Sequence, residues 1–293
     1  MTHQSPPNQG RAKAWAETTT EVPTRLGRLH VRSIGEGAPT ILWSSMFVDS
    51  HTWDPLLPLL PSGRRYHLVD PPGLGASEPL RASSDITAAA DAAADLIREL
   101  GIRSPLDWVG NAFGGHVGLK LGARPGILRS LVAISSPTQP IPDALRTQIN
   151  ILLPILRTAG PIGPVRSAIL TAMLTDASTD CDPIHRAVTQ SLQRPTRRSM
   201  ALAVRSFILN RVDVTAELTD LTVPSLFIAS DDRGDWTPED ARAAAALAPH
   251  AQAITIPEAR TLIPLEQPEG VALHVRNFWD RLAPTRSHQP QET

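Results

Sequence analysis

The feature that most constrains this chain is a rhythm: short β-like apolar runs alternate with longer helical patterns, as in one mostly parallel sheet covered by helices. The runs are Leu29 to Ile34, Thr40 to Trp43, Tyr66 to Asp70, Leu106 to Val109, Leu131 to Ile134, Ser225 to Ala229 and Gln252 to Ile256, preceded by a weaker one from Thr18 to Val22. Between Ser84 and Leu100, the residues Ile86, Ala90, Ala93, Leu96 and Ile97 share one helical face behind the start signals Ser84 and Asp85. This spacing predicts an amphipathic helix lying on the sheet. From about 138 to 210 the strand rhythm stops, and helical patterns such as Gln148 to Leu156 and Arg197 to Leu209 run between proline-rich breaks. A helical cap at 138–210 is therefore expected, inserted into a core made of 16–137 and 211–283, with disordered tails at 1–15 and 284–293.

At 293 residues and 41% hydrophobic content the chain can bury a full core. Its formal net charge of −1, without a run of like charges, argues against a nucleic-acid partner. Cys181 is the single cysteine, which excludes an internal disulfide framework and a multi-cysteine zinc site. No stretch of eighteen apolar residues and no apolar leader core is present, so neither a membrane span nor a signal peptide is expected, and a cytoplasmic location is. Phosphate-loop and dinucleotide motifs are missing from the sequence, and neither a cofactor nor a metal is expected. The expected partner is a small-molecule ligand, with no nucleic acid, no membrane, and a homodimer left open.

The segment Leu106-Asp107-Trp108-Val109-Gly110-Asn111-Ala112-Phe113-Gly114-Gly115 reads as a strand entering a sharp glycine-flanked turn and then a helix. It resembles the nucleophile elbow of the α/β-hydrolase fold superfamily, where G-x-S-x-G lifts a serine above the sheet. Two further segments carry the resemblance: Asp70-Pro71-Pro72-Gly73-Leu74-Gly75-Ala76-Ser77 and Leu265-Glu266-Gln267-Pro268-Glu269. The implied fold class is α/β: a mostly parallel twisted sheet flanked by helices, with an inserted helical cap.

The same resemblance marks what this chain does not carry. Ala112 stands at the nucleophile position, and a methyl group cannot attack a carbonyl. The family histidine position matches Thr261, after Arg260, and Ser44-Ser45 replaces the His-Gly that shapes the oxyanion hole. The family acid falls on Asp232 or Arg233, depending on a one-residue shift. Backbone N–H groups of Phe113 and of Ser45 or Met46 are the expected oxyanion donors. His51, in the loop after the third strand, is either a base at the mouth of the site or a surface histidine. Ser44, Asn111, Ala112, Trp53, Asp232, Trp236, Arg260 and Thr261 are the expected ligand-binding set, and the tryptophans bias the ligand towards flat aromatic molecules.

These losses imply a cofactor-free, non-hydrolytic enzyme: a cyclase, a lyase, a catalyst of C–C rearrangement or a cofactorless oxygenase acting on an aromatic or polyketide-like molecule. The alternatives are a pseudo-hydrolase that only binds a ligand or partner, and an ordinary hydrolase with a substitute nucleophile.

Overall fold

The computed structural model describes residues 16–103 and 105–282. Both expected tails lie outside the described residues. Eight strands form one sheet: β1 (Thr18–Thr24), β2 (Gly27–Gly35), β3 (Ala38–Trp43), β4 (Arg64–Val69), β5 (Leu106–Asn111), β6 (Leu128–Ile134), β7 (Ser225–Ser230) and β8 (Ala251–Ile256). Their order is β1-β2-β4-β3-β5-β6-β7-β8. The β1/β2 and β2/β4 pairs are antiparallel and every later pair is parallel. All the runs read as strands are strands, the weak first run included.

Strand β5 lies between β3 and β6 and is buried along its whole length. Alternate residues feed the two faces: Trp108 joins the apolar cluster under helices α1 (Ile86–Glu99) and α2 (Phe113–Gly122), and Val109 the cluster under α10 (Pro268–Leu282). Helix α1 starts where its sequence signals place it, because the Asp85 side chain accepts from the Ala88 N–H.

Between β6 and β7 the chain leaves the sheet and forms α3 (Asp143–Ala159), α4 (Gly163–Met173), α5 (Asp176–Thr179), α6 (Asp182–Gln193) and α7 (Arg197–Ala203), the last running into a π-helical turn, Val204–Leu209. This insert is bonded to the sheet at named points. Ser199 Oγ donates to the Gly73 carbonyl at 2.7 Å and accepts from the Leu80 N–H at 3.0 Å. Glu266, in the short helix α9 (Ile263–Glu266), accepts from the Thr175 N–H at 2.8 Å and the Thr175 hydroxyl at 3.0 Å. Arg194, at the end of α6, reaches the buried Asp49 at 3.2 Å.

Two histidines are sealed into the core. His67 on β4 faces Ser33 on β2, with Nδ1 and the hydroxyl 2.9 Å apart, and burial pulls its pKa from the ordinary 6.5 down to about 4. His116 on α2 is driven to about 3, by burial first and the Arg211 guanidinium second. Both are therefore neutral in the folded protein at pH 5, whereas in the unfolded chain they take up a proton below 6.5. Their depressed values leave stability unaffected above pH 6.5 and subtract from it as the pH falls from 6.5 towards 4 and 3. At pH 5 each histidine costs about 2 kcal/mol. Urea denaturation should show the midpoint falling between pH 7.5 and pH 5, with His67→Asn reducing that drop by about half; an unchanged drop would show that His67 does not drive it.

Candidate functional site

The site is built at the C-terminal ends of β3, β5, β6 and β7. Strand β5 runs out through Gly110 and Asn111 into Ala112, whose backbone stands at φ 47°, ψ −105°, and α2 begins at Phe113. This is a strained conformation for a residue with a Cβ, costing on the order of 1–3 kcal/mol. Close packing holds it. A Cβ on Gly110 would overlap the Gly114 carbonyl, and one on Gly114 would overlap the Trp43 carbonyl. The Ala112 N–H donates to the Ile134 carbonyl at 2.7 Å, while its own carbonyl accepts from Gly115 and His116. The first N–H groups of α2 have no intrahelical partner to donate to and carry the positive end of the helix dipole. Ala112 itself is only partly buried.

In the loop after β3, Ser44, Ser45 and Met46 are buried, and Phe47 adopts the left-handed region at φ 67°. The sequence reading missed Phe47; a left-handed non-glycine residue leaves no mark in the sequence. The hydroxyl of Ser44 accepts from Trp53 Nε1 at 3.0 Å, so both side chains are core residues and not ligand contacts. Trp43, Trp108 and Trp236 are also at most 2% exposed. Trp43 stacks on Trp108 with centroids 5.3 Å apart, and Trp236 packs on Phe227 at 5.8 Å. The bias towards a flat aromatic ligand therefore loses its basis. The Phe113 ring is likewise occupied, stacked on Phe207 of the insert at 4.5 Å. His51 is a surface residue, with Nδ1 3.1 Å from Asp54 and a side chain 43% exposed. Loop geometry turns it outward, away from the role of base.

Of the two residues left open after β7, Asp232 is the one that faces Arg260. Its Oδ2 accepts from Arg260 Nη2 at 2.7 Å and Nε at 3.1 Å, while the exposed Arg233 reaches both Asp176 at 3.2 Å and Asp232 Oδ1 at 3.4 Å. Desolvation pushes the Asp232 carboxyl upward, but the Arg260 and Arg233 guanidinium groups together hold it below the ordinary carboxylate range. It is ionised and a poor proton acceptor.

Arg260, expected as a ligand contact, is instead only 3% exposed and bonded on every side. Its N–H donates to Glu266 at 2.8 Å, and its carbonyl accepts from Ser230 at 2.9 Å and Ser135 at 3.2 Å. Its guanidinium also donates to the Thr171 carbonyl of α4. Thr261 points its hydroxyl at the Ala172 carbonyl, 2.8 Å away, and its own carbonyl accepts from Asn111 Nδ2 at 2.8 Å. The loop that the resemblance assigned to a histidine thus fastens sheet to insert. It is Arg260, not Thr261, whose side chain meets the acid.

A surface concavity of about 420 Å³ is lined by Ala94, Ile97, Arg98, Gly101, Ile102, Arg103 and Ile127, and one of about 360 Å³ by residues 24–27 and 79–84; neither contains an elbow residue. Among the described residues no cluster of three or more His, Cys, Asp or Glu side chains is disposed to hold a metal.

Against known proteins, residues 37–273 match the alpha/beta hydrolase family. The chain is 27% identical over 273 residues to the pimeloyl-[acyl-carrier protein] methyl ester esterase of Shewanella woodyi, covering 89% of this chain and 91% of that protein. Among solved structures, a thermophilic esterase from Thermogutta terrifontis superposes with a TM-score of 0.80 at 22% identity, covering 91% of this chain and 99% of that one. The enol-lactonase of Burkholderia xenovorans LB400 also gives 0.80, at 19% identity, with coverage of 90% and 100%. These proteins are named as hydrolases of esters and lactones. That finding overturns the expectation of a non-hydrolytic cyclase, lyase or oxygenase, which had inferred the reaction class from missing side chains alone. With the family match spanning most of its length, the chain belongs to the alpha/beta hydrolase family.

Proposed function

We propose that the protein is a hydrolase of small carboxylic esters or lactones that works without an acyl-enzyme, with water as the substitute nucleophile. One observation carries this reading: the elbow backbone keeps its strained geometry at Ala112, with the N-terminus of α2 directly after it, although the side chain that usually justifies the strain is a methyl. Such a backbone polarises a carbonyl whatever the side chain does. The carbonyl oxygen rests on the Phe113 N–H and an N–H of the Ser45–Phe47 loop. A water above the Ala112 methyl adds to the carbonyl carbon and gives up its proton to solvent. The tetrahedral oxyanion then expels the alkoxide, which solvent protonates. Asp232, ionised and held by Arg260, takes no proton in this sequence. The single free Cys181 fits a reducing cytoplasm as the place of action.

A second reading, binding of the same ligands without turnover, is favoured by the Arg260–Asp232 pair standing where a histidine–acid pair would activate water. The two separate in one experiment. The hydrolase should turn over p-nitrophenyl butyrate about 10³-fold above the uncatalysed reaction, the residual effect of an oxyanion hole and binding without a triad. The time course should have no burst, the rate should rise with hydroxide concentration, and a fluorophosphonate probe should leave the protein unlabelled. Stoichiometric labelling of a serine would disprove the water mechanism; background rates with saturable binding of phenylphosphonate would establish the binder.

Restoring the side chains provides a second test. Ala112→Ser alone should change the rate less than tenfold, because no base faces it. Ala112→Ser combined with Arg260→His should gain a further 10²-fold or more and become labelled, since the imidazole would then lie beside Asp232. If pairing with Thr261→His gives the larger gain, the assignment of Arg260 to the histidine's place is wrong.

A further inference from the structure

The whole-chain charge of −1 conceals a strong partition. From Asp143 to Asn210 the insert carries eight arginines, no lysine, four aspartates and no glutamate, a formal +4. Only Arg194 of these arginines forms an ion pair among the described residues. Arg157, Arg166, Arg186, Arg197 and Arg198 stand exposed without a carboxylate partner.

The same insert leaves a helix face uncovered. Helix α3 packs on the rest of the protein through Leu156 and the partly buried Ile149, Leu152 and Leu153. Its opposite face presents Ala144, Gln148, Ile151, Ile155 and Thr158, all exposed and none charged, at spacings of four and three residues. Ile151 is 67% exposed and Ile155 37%; Ile162, where the chain enters α4, is 49% exposed. Arg157 follows Ile155 by two residues, and Arg157 and Arg166 flank Ile162 in sequence.

We propose that the α3–α4 face of the insert docks on an anionic lipid surface, with Ile151, Ile155 and Ile162 entering the acyl boundary and the unpaired arginines meeting the headgroups. Charge complementarity selects this occupant. Residues 143–173, which make up α3 and α4, carry three arginines and one aspartate, a formal +2, so a second copy would bring two like-charged faces together, whereas anionic headgroups attract each arginine. Branched aliphatic side chains that project from a helix fit into a fluid boundary without a matching pocket on the other side. The absence of a membrane-spanning helix among the described residues concerns crossing a bilayer, and lying on one needs only such a face.

Co-sedimentation of the full-length protein with vesicles tests this. Vesicles of 70% phosphatidylcholine and 30% phosphatidylglycerol should retain the protein at least tenfold better than pure phosphatidylcholine, and 0.5 M NaCl should release most of it. The double variant Arg157→Glu/Arg166→Glu should weaken binding at least tenfold, and Ile151→Asn/Ile155→Asn at least fivefold, with unchanged circular dichroism. Equal retention on both vesicle types would overturn the proposal. So would full retention of the isoleucine variant, which would reduce the effect to unspecific charge attraction. If light scattering instead finds a dimer that the isoleucine variant dissociates, the face belongs to a second copy. Failure of all vesicle binding together with tight capture of an acidic protein would assign it to such a partner.

Discussion

Arg260 is the point on which the candidate site turns. Its carbonyl collects the hydroxyls that end β6 and β7, its N–H is held by Glu266, and its guanidinium spans Asp232 and the Thr171 carbonyl. One residue therefore ties two strand ends, the loop before α9 and the insert. A buried guanidinium with its donors matched to a carboxylate and a carbonyl is a strong, orienting interaction, because charge-assisted bonds in a poorly hydrated place lose little to competing water. The neighbouring bonds of Thr261 and Leu262 to the Ala172 and Met173 carbonyls extend the same fastening. The insert is held over the elbow by groups that occupy the ground where acid–base chemistry would be done.

The elbow obeys a different constraint. Gly110 and Gly114 are required by the approach of β5, α2 and the end of β3, and that requirement would remain whatever the side chain at residue 112. A packing constraint of this kind survives the exchange of a serine for Ala112, since the methyl fits wherever a hydroxymethyl did. This explains how a strained turn and a helix N-terminus are kept together without a nucleophile, and why carbonyl polarisation is the chemistry that the geometry still offers.

The same distinction explains what was legible in the sequence. Strands, the Asp85 start of α1 and the glycine elbow were readable because each is local: periodicity, a capping side chain, two glycines at fixed spacing. Trp53 and Trp236 were counted among the ligand contacts because sequence position near an elbow does not tell which way a side chain turns; Trp53 turns inward to Ser44 and Trp236 to Phe227. His51 was ambiguous for the same reason. Asp232 could not be separated from Arg233, nor Arg260 from Thr261, since a loop has no period to fix its register. The pairing of Asp232 with Arg260 in space shows which members of the two loops meet.

That pairing also bears on the charge state of Asp232. Without Arg260, the Asp232 side chain, 26% exposed, would keep only the exposed Arg233 at 3.4 Å to offset its desolvation, at a modest cost. Arg260 removes the cost by supplying a permanent positive charge, and in doing so holds Asp232 ionised and withdraws it as a base. Asp232 and Arg260 are therefore one electrostatic arrangement. Because a guanidinium does not release its proton at any pH the fold withstands, this arrangement commits the loop to structure.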